Sequence, residues 1–143
     1  MIQAPARVVQ NLDRAKAGDR IFTQTKCVLL ISDVPLLRQS FAMLLENRTG
    51  LRTVQADSPD GARELLVDLN RDVALVIASV DTSEGPDTGL IENLHGLGLP
   101  IMAFGSEGST DSLARALDAG ADDAISLGVP VDHFIGRAAR LAS

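Results

Sequence analysis

Several carboxylates and hydroxyls in this sequence stand directly after short apolar runs, where side chains leave a buried strand. Ser32 and Asp33 follow one run, Ser79 and Asp81 follow another, and Ser106 follows a third. Carboxylate oxygens are the ligands that hard cations prefer, and loops rich in backbone amides can hold a small anion. These residues therefore form a candidate site for an ion or a small polar ligand.

Other reactive side chains give weaker signals. His95 and His133 belong to different predicted helices and have no second ligand at metal spacing, and no serine has the His and Asp partners of a hydrolase. The single Cys27 excludes an internal disulfide and is expected to be a small buried hydrophobe. We therefore predict that the chain is not an enzyme and carries no resident metal or cofactor.

Five strand–helix units are predicted to position the candidate residues. Short strands are predicted at residues 27–31, 53–56, 73–80, 100–104 and 124–127. Apolar residues at helical spacing predict helices from Pro35 to Gly50, after Pro59, and over 89–95, 110–119 and 130–141. This alternation predicts an α/β fold, a doubly wound (βα)5 domain with a five-stranded parallel sheet. The functional crevice of such a sheet lies beyond the carboxyl ends of its strands, where the candidate residues stand.

Composition narrows the class of protein. The chain has 143 residues, 45% of them hydrophobic, which suits one globular domain over residues 26–143 after an N-terminal extension at 1–25. The net charge is −6, and residues 1–26 are basic, so the domain itself is strongly acidic and is predicted not to contact nucleic acid. No apolar run is long enough to span a membrane and no signal peptide is recognisable, which predicts a cytoplasmic protein without membrane contact.

Three segments resemble the receiver domains of response regulators, the CheY-like family, and most closely those of LuxR/NarL-type regulators. Residues 29–39 (LLISDVPLLRQ) resemble the first strand and helix, and residues 50–56 with 61–66 resemble the second unit. Residues 114–123 (ARALDAGADD) resemble the fourth helix with the turn into the fifth strand, and this segment is the most specific. The match covers residues 26–141 and implies a flavodoxin/CheY-like fold and a role in two-component signal transduction and transcription regulation.

The resemblance also implies a phosphorylation site, and this sequence departs from it. The family has two acids after the first strand to hold Mg²⁺, a Thr or Ser after the fourth strand, and a Lys after the fifth. Here the acids fall on Ser32 and Asp33, the hydroxyl position falls on Gly105 with Ser106 beside it, and the Lys position falls on Leu127. We expect Ser32 to be a neutral filler and Asp33 to cap the following helix.

The position of the family's phosphoacceptor Asp has two interpretations. Counting forward from Asp72 places it between Ile77 and Ser79, where no carboxylate stands. Counting back from Gly89, the glycine of the family's loop, places it at Asp81, which would require a third strand about three residues longer than usual. Only in the second case would Asp33 and Asp81 retain Mg²⁺ as a cofactor.

These departures predict an atypical receiver with a degenerate phosphorylation site, a pseudo-receiver that works by phosphorylation-independent dimerisation or partner binding. In one alternative, the pocket lined by Ser32, Asp33, Ser79, Asp81 and Ser106 senses a small molecule. In two others, Asp81 is weakly phosphorylated, or the domain is a localisation module of a larger ATPase.

The resemblance also suggests which surface a partner would bind. Receivers of this kind commonly dimerise through the face formed by the fourth helix, the fifth strand and the fifth helix. In this sequence that face mixes both charges, which suits a self-matching two-fold interface or another signalling protein. Its candidate residues are Arg115, Asp118, Asp122, His133 and Arg137. An ordinary solvated surface is the other interpretation of the same residues.

Overall fold

The computed structural model describes residues 26–69 and 72–143, so the predicted extension at 1–25 lies outside the described residues. The described strands are β1 (Cys27–Ile31), β2 (Arg52–Ala56), β3 (Val73–Ser79), β4 (Ile101–Gly105) and β5 (Asp123–Ser126). The helices are α1 (Pro35–Thr49), α2 (Pro59–Leu69), α3 (Thr88–Gly96), α4 (Thr110–Ala119) and α5 (Val131–Ala142). Each strand is followed by a helix, as the sequence predicts.

The five strands form one parallel sheet in the order β2-β1-β3-β4-β5. All five residues of β1 are buried, and so are the first six of β3, because helices cover both faces of the sheet. The predicted doubly wound (βα)5 fold is thereby confirmed. Strand order reverses between β1 and β3, so the carboxyl ends of these two strands mark the switch point of the sheet.

Alternation along the strands divides the core into two layers. Cys27, Leu29 and Ile31 of β1 pack in the layer that also contains the buried residues of α2, α3 and α4. Val28 and Leu30 point the other way, toward the layer under α1 and α5. Burial raises the pKa of the Cys27 thiol, since the thiolate would lose its hydration there, which agrees with the predicted role of this residue as a small hydrophobe.

The layer under α1 and α5 is built around three aromatic rings. Phe41 of α1 meets Phe104 of β4 edge to face, with ring centroids 5.0 Å apart, and stacks on Phe134 of α5 at 4.8 Å. Both are favoured geometries for aromatic pairs. The rings therefore tie α1 and α5 to each other and to the sheet.

Helix ends follow local chemistry, and this explains where the prediction was off. α2 begins as predicted, with Ser58 Oγ accepting the N–H of Gly61 at 3.0 Å. α3 begins one residue earlier than predicted, because the Asp87 carboxylate accepts the N–H of Leu90 at 2.9 Å and caps it, and α3 also ends one residue later. β3 ends at Ser79 and not at residue 80. No helix among the described residues is long and apolar enough to cross a membrane.

Candidate functional site

Two serine hydroxyls stand side by side at the switch point. Ile31 pairs with Ala78, so Ser32 and Ser79 leave β1 and β3 next to each other. Ser32 is buried and its Oγ accepts the N–H of Val34 at 3.1 Å, while Ser79 Oγ accepts the N–H of Asp81 at 3.0 Å. Each hydroxyl thus closes a turn two residues onward. The carboxyl ends of β1 and β3 therefore carry the hydroxyls of Ser32 and Ser79 in place of carboxylates.

The predicted helix cap at Asp33 is wrong. The N-cap residue of α1 is Val34, no side chain among the described residues caps this helix, and Asp33 is exposed. Pro35 at the first helical position lacks an N–H that would have no partner within the helix, and its fixed φ favours a helix start here.

Arg38 of α1 contributes a cation to this edge, and sequence reasoning missed it. Its Nη1 donates to the Ser32 carbonyl at 2.6 Å and its Nε donates to Gln55 Oε1 at 3.1 Å. The guanidinium therefore lies across the carboxyl ends of β1 and β2. The signal in the sequence was its place one turn after Pro35, which brings a long side chain back to the strand end.

Asp81 lies two residues beyond the end of β3 and reaches across to the loop after β4. Its Oδ2 accepts the backbone N–H of Ser106 at 2.7 Å, and its Oδ1 accepts the hydroxyl of Ser109. Ser109 is the N-cap residue of α4, yet its side chain makes no cap bond within that helix. We call these contacts between Asp81, Ser106 and Ser109 the Asp81 latch. It fastens the β3–α3 loop to the start of α4, where a negative charge is favoured by the helix dipole.

Gly105, at the family's hydroxyl position, has no room for a side chain. A Cβ built there would lie 2.8 Å from Val80 Cγ2 and 2.9 Å from Ser109 Cβ. Val80 is buried, and its N–H donates to the Phe104 carbonyl at 2.9 Å, which holds its side chain against β4. The space that a Thr would occupy is therefore filled by Val80 and by a member of the Asp81 latch.

The end of β5 is apolar and acidic instead of cationic. Leu127 is 37% exposed, and its N–H donates to the Gly105 carbonyl at 2.8 Å. The Glu107 carboxylate lies so close to Gly128 that it would collide with a Cβ there. A phosphoryl oxygen at this point would meet a leucine and a carboxylate, which neither attract it nor neutralise its charge.

The candidate residues do not combine into a metal site or a sizeable pocket. Within residues 26–69 and 72–143, no three His, Cys, Asp or Glu side chains come close enough together to hold a metal ion. The cavity beside Ser79 measures about 20 Å³ and is lined mainly by apolar side chains. A larger cleft, of about 420 Å³, lies farther out, against Pro59 and residues 82–89.

The predicted partner face contains both free and engaged side chains. Asp118 and His133 are exposed on α4 and α5, and Arg115 lies over Gly85 of the β3–α3 loop. Asp122 has a structural role instead, because its Oδ2 accepts the N–H of Ile101 at 2.8 Å and closes the gap between β4 and β5.

Arg137, the fifth predicted residue of this face, is bound within the chain. Its Nε donates to Asp123 Oδ2 at 2.8 Å and its Nη2 binds Asp123 Oδ1. The hydrogen bonds from Arg137 hold the pKa of the Asp123 carboxyl below its usual value, and they raise the pKa of Arg137. The pair ties α5 to the start of β5.

Replacing Arg137 with Gln is expected to lower the free energy of unfolding by about 1 kcal/mol at pH 7, because the two-point ion pair is partly exposed. The folded pKa of Asp123 is depressed, so the pair stabilises the fold above the unfolded pKa of about 4 and its contribution fades as pH falls below that value. Urea unfolding of both proteins from pH 7 to pH 3 measures this difference. Arg48→Gln, which breaks a far more exposed ion pair with Asp132, is the control and should change stability less. A difference that stays constant down to pH 3 would contradict the assignment.

Comparison with known proteins identifies the fold. No protein-family model and no curated protein matches the chain. Among solved structures, a response-regulator receiver domain from Clostridium thermocellum superposes with a TM-score of 0.72 at 15% identity, over 82% of this chain and 94% of that one. FixJ-N gives 0.69 at 22% identity, over 84% and 94%, and the receiver domain of NtrX from Brucella abortus gives 0.70 at 24% identity, over 80% and 97%. The chain has the receiver-domain fold.

Proposed function

We propose that this domain is an atypical receiver that transmits a signal by associating with itself or with another signalling protein, without phosphorylation and without catalysis. The observation that carries the proposal is the Asp81 latch. The one carboxylate that could accept a phosphoryl group by sequence position is already bound to the N–H of Ser106 and the hydroxyl of Ser109. An acceptor must instead be free to attack a phosphorus atom in line.

The surroundings of Asp81 support the same proposal. Capture of a phosphoryl group depends on cations and donors that neutralise its three oxygens. Around this edge Ser32 replaces an acid that would hold Mg²⁺, Leu127 replaces a lysine, and Gly105 replaces a hydroxyl. Arg38 is a nearby cation, and its Nη1 and Nε already donate to the Ser32 carbonyl and to Gln55. We propose accordingly that the domain uses no Mg²⁺ and no other cofactor.

The latch also suggests how α4 is kept in place in the absence of phosphorylation. It joins the loop after β3 to the first turn of α4, and Arg115 of the same helix packs over Gly85 of that loop. Two contacts thus hold α4 in one position on the sheet. We propose that the face of α4, β5 and α5 is consequently available for association at all times.

Mg²⁺ with beryllofluoride, a mimic of the phosphoryl group, is expected to produce no saturable change in the amide NMR signals of Gly105 and Ser106. The reason is that the latch occupies the acceptor and the usual neutralising groups are replaced. Incubation with acetyl phosphate, followed by intact mass measurement, should likewise leave the wild-type chain unlabelled.

The matched variant for this experiment is Asp81→Asn, which keeps the side-chain volume but removes the charge. It should behave as the wild type does toward both reagents. A saturable wild-type response that disappears in Asp81→Asn would overturn the proposal and establish Asp81 as a weak phosphoacceptor.

A second candidate function, small-molecule sensing, is favoured by the cleft of about 420 Å³ against Pro59 and residues 82–89. Its volume lies within the range of ligand sites, whereas the cavity beside Ser79 has room for about one water molecule. Thermal-shift screening against a metabolite panel tests it, with Gly89→Gln to obstruct the cleft. A ligand that stabilises the wild type and not the variant would favour sensing over association. The roles as a localisation module of a larger ATPase and in transcription regulation, and the cytoplasmic location, stay predictions.

A further inference from the structure

Gly136 stands in the middle of α5, where nothing in residues 26–69 and 72–143 requires a glycine. It is the sixth residue of a twelve-residue helix, it is exposed, and a Cβ added to it would have nothing within 4 Å. Glycine in a helix interior is unfavourable relative to alanine, because it loses more backbone freedom on folding. None of the residues that the structure describes therefore accounts for a glycine at this position.

The surface around Gly136 is concave and charged at its ends. A shallow hollow of about 360 Å³ is lined by Asp132, His133, Gly136, Arg137 and Arg140. Positions 132, 136 and 140 are four residues apart and lie along one stripe of the helix. Along this stripe an acidic residue is followed by a glycine and then by a basic residue, and successive members lie about 6 Å apart along the helix axis.

This pattern is complementary to itself. If a second α5 lies antiparallel across the first with the two glycines at the crossing point, each Asp132 faces an Arg140 of the other copy. A two-fold axis through the crossing makes both pairs at once. Arg137 does not oppose this arrangement, because Asp123 already neutralises it.

We propose that a second copy of this chain docks on α5, with the helices antiparallel and in close contact at Gly136, and with Asp132 of each copy paired to Arg140 of the other. The inference rests on the proposed function, self-association, and names the contact that performs it. The missing side chain at residue 136 lets the two backbones approach more closely than larger residues allow.

Asp132 is suited to this second contact. Its Oδ1 binds Arg48 Nη2 at 2.7 Å, yet its side chain remains 80% exposed, so the carboxylate can accept another donor. The hydrogen bond from Arg48 lowers the pKa of the Asp132 carboxyl, which keeps this end of the stripe negative.

Charge reversal at each end of the stripe tests the proposal in full-length chain by sedimentation velocity over a concentration series. Asp132→Arg and Arg140→Asp should each weaken dimerisation at least about tenfold, because each places like charges in contact at both ends of the interface. An equimolar mixture of the two variants should form a heterodimer, since one has two positive ends and the other has two negative ends. Failure of the mixture to associate would overturn the antiparallel pairing.

Gly136→Leu separates blocked docking from unfolding. The substitution fills the hollow and improves helix propensity, so the variant should be monomeric with a melting temperature no lower than that of the wild type. Gly136→Ala, a smaller obstruction, should weaken the dimer less. A Gly136→Leu variant that dimerises like the wild type would overturn this inference and leave the proposed function standing. A wild type that is monomeric at every concentration would refute both the inference and self-association.

Discussion

A Gly105→Thr variant, which restores the family's hydroxyl at the end of β4, is expected to lose about 2 kcal/mol of unfolding free energy. Its Cβ would lie 2.8 Å from Val80 Cγ2 and 2.9 Å from Ser109 Cβ, and Gly105 is itself buried. Neither neighbour can move cheaply, because Val80 is 2% exposed and Ser109 belongs to the Asp81 latch. Urea unfolding followed by circular dichroism measures the loss, since the chain has no Trp or Tyr to report by fluorescence.

A double-mutant cycle identifies the source of that strain. Val80→Ala removes the nearer of the two obstacles and by itself leaves a small cavity. If the clash is the cause, Gly105→Thr should cost clearly less in the Val80→Ala background than in the wild type, which is coupling between residues in contact. Additive effects of the two substitutions would show that the side chain at residue 80 is not what excludes a threonine.

The residues of the candidate site divide into those that the sequence could locate and those that it could not. Leu127 was predicted to be the last residue of β5, which instead ends at Ser126. Ser32 could be located, because it follows an apolar run that is buried along its whole length. The acceptor position could not, since it depends on where β3 ends. The structure ends β3 at Ser79 and leaves Asp81 two residues beyond, on the way to the β4–α4 loop. The hydrogen bond from Ser106 to Asp81 joins two loops, and a loop sequence has no periodic pattern from which such a contact could be predicted.

The fold was predictable for a different reason. β1 and β3 are buried on both faces, so their sequences are continuously apolar, and each is followed by a helix with its own start and stop signals. The first residue of α3 was missed because a single hydrogen bond decides it, the one from the N–H of Leu90 to the Asp87 carboxylate. Arg38 was missed because its partners, the carbonyl that follows β1 and an amide oxygen of β2, become neighbours only in the folded sheet.

The side chains packed beneath α5 hold this helix against the sheet and thereby determine the position of its exposed face. Phe41 is central to that packing. The ring of Phe41 lies against Phe104 of β4 and Phe134 of α5, at 5.0 and 4.8 Å between centroids. It is the part of α1 that contacts both elements through aromatic rings. A substitution that weakens the packing of Phe41 therefore also weakens the packing of α5, which carries the stripe from Asp132 to Arg140.

Phe41→Ala is expected to lower the free energy of unfolding by about 3–5 kcal/mol, because it removes a buried ring and leaves a cavity between two others. Phe41→Leu keeps most of the apolar volume and should cost less than about 1.5 kcal/mol. Urea unfolding gives both values, and sedimentation velocity at a temperature where each variant is folded gives their association. Because Phe41 lies beneath α5 and not on its exposed face, we expect weakened association in the Ala variant and near-normal association in the Leu variant. An Ala variant that is strongly destabilised yet dimerises normally would mean that α5 keeps its position without the aromatic layer.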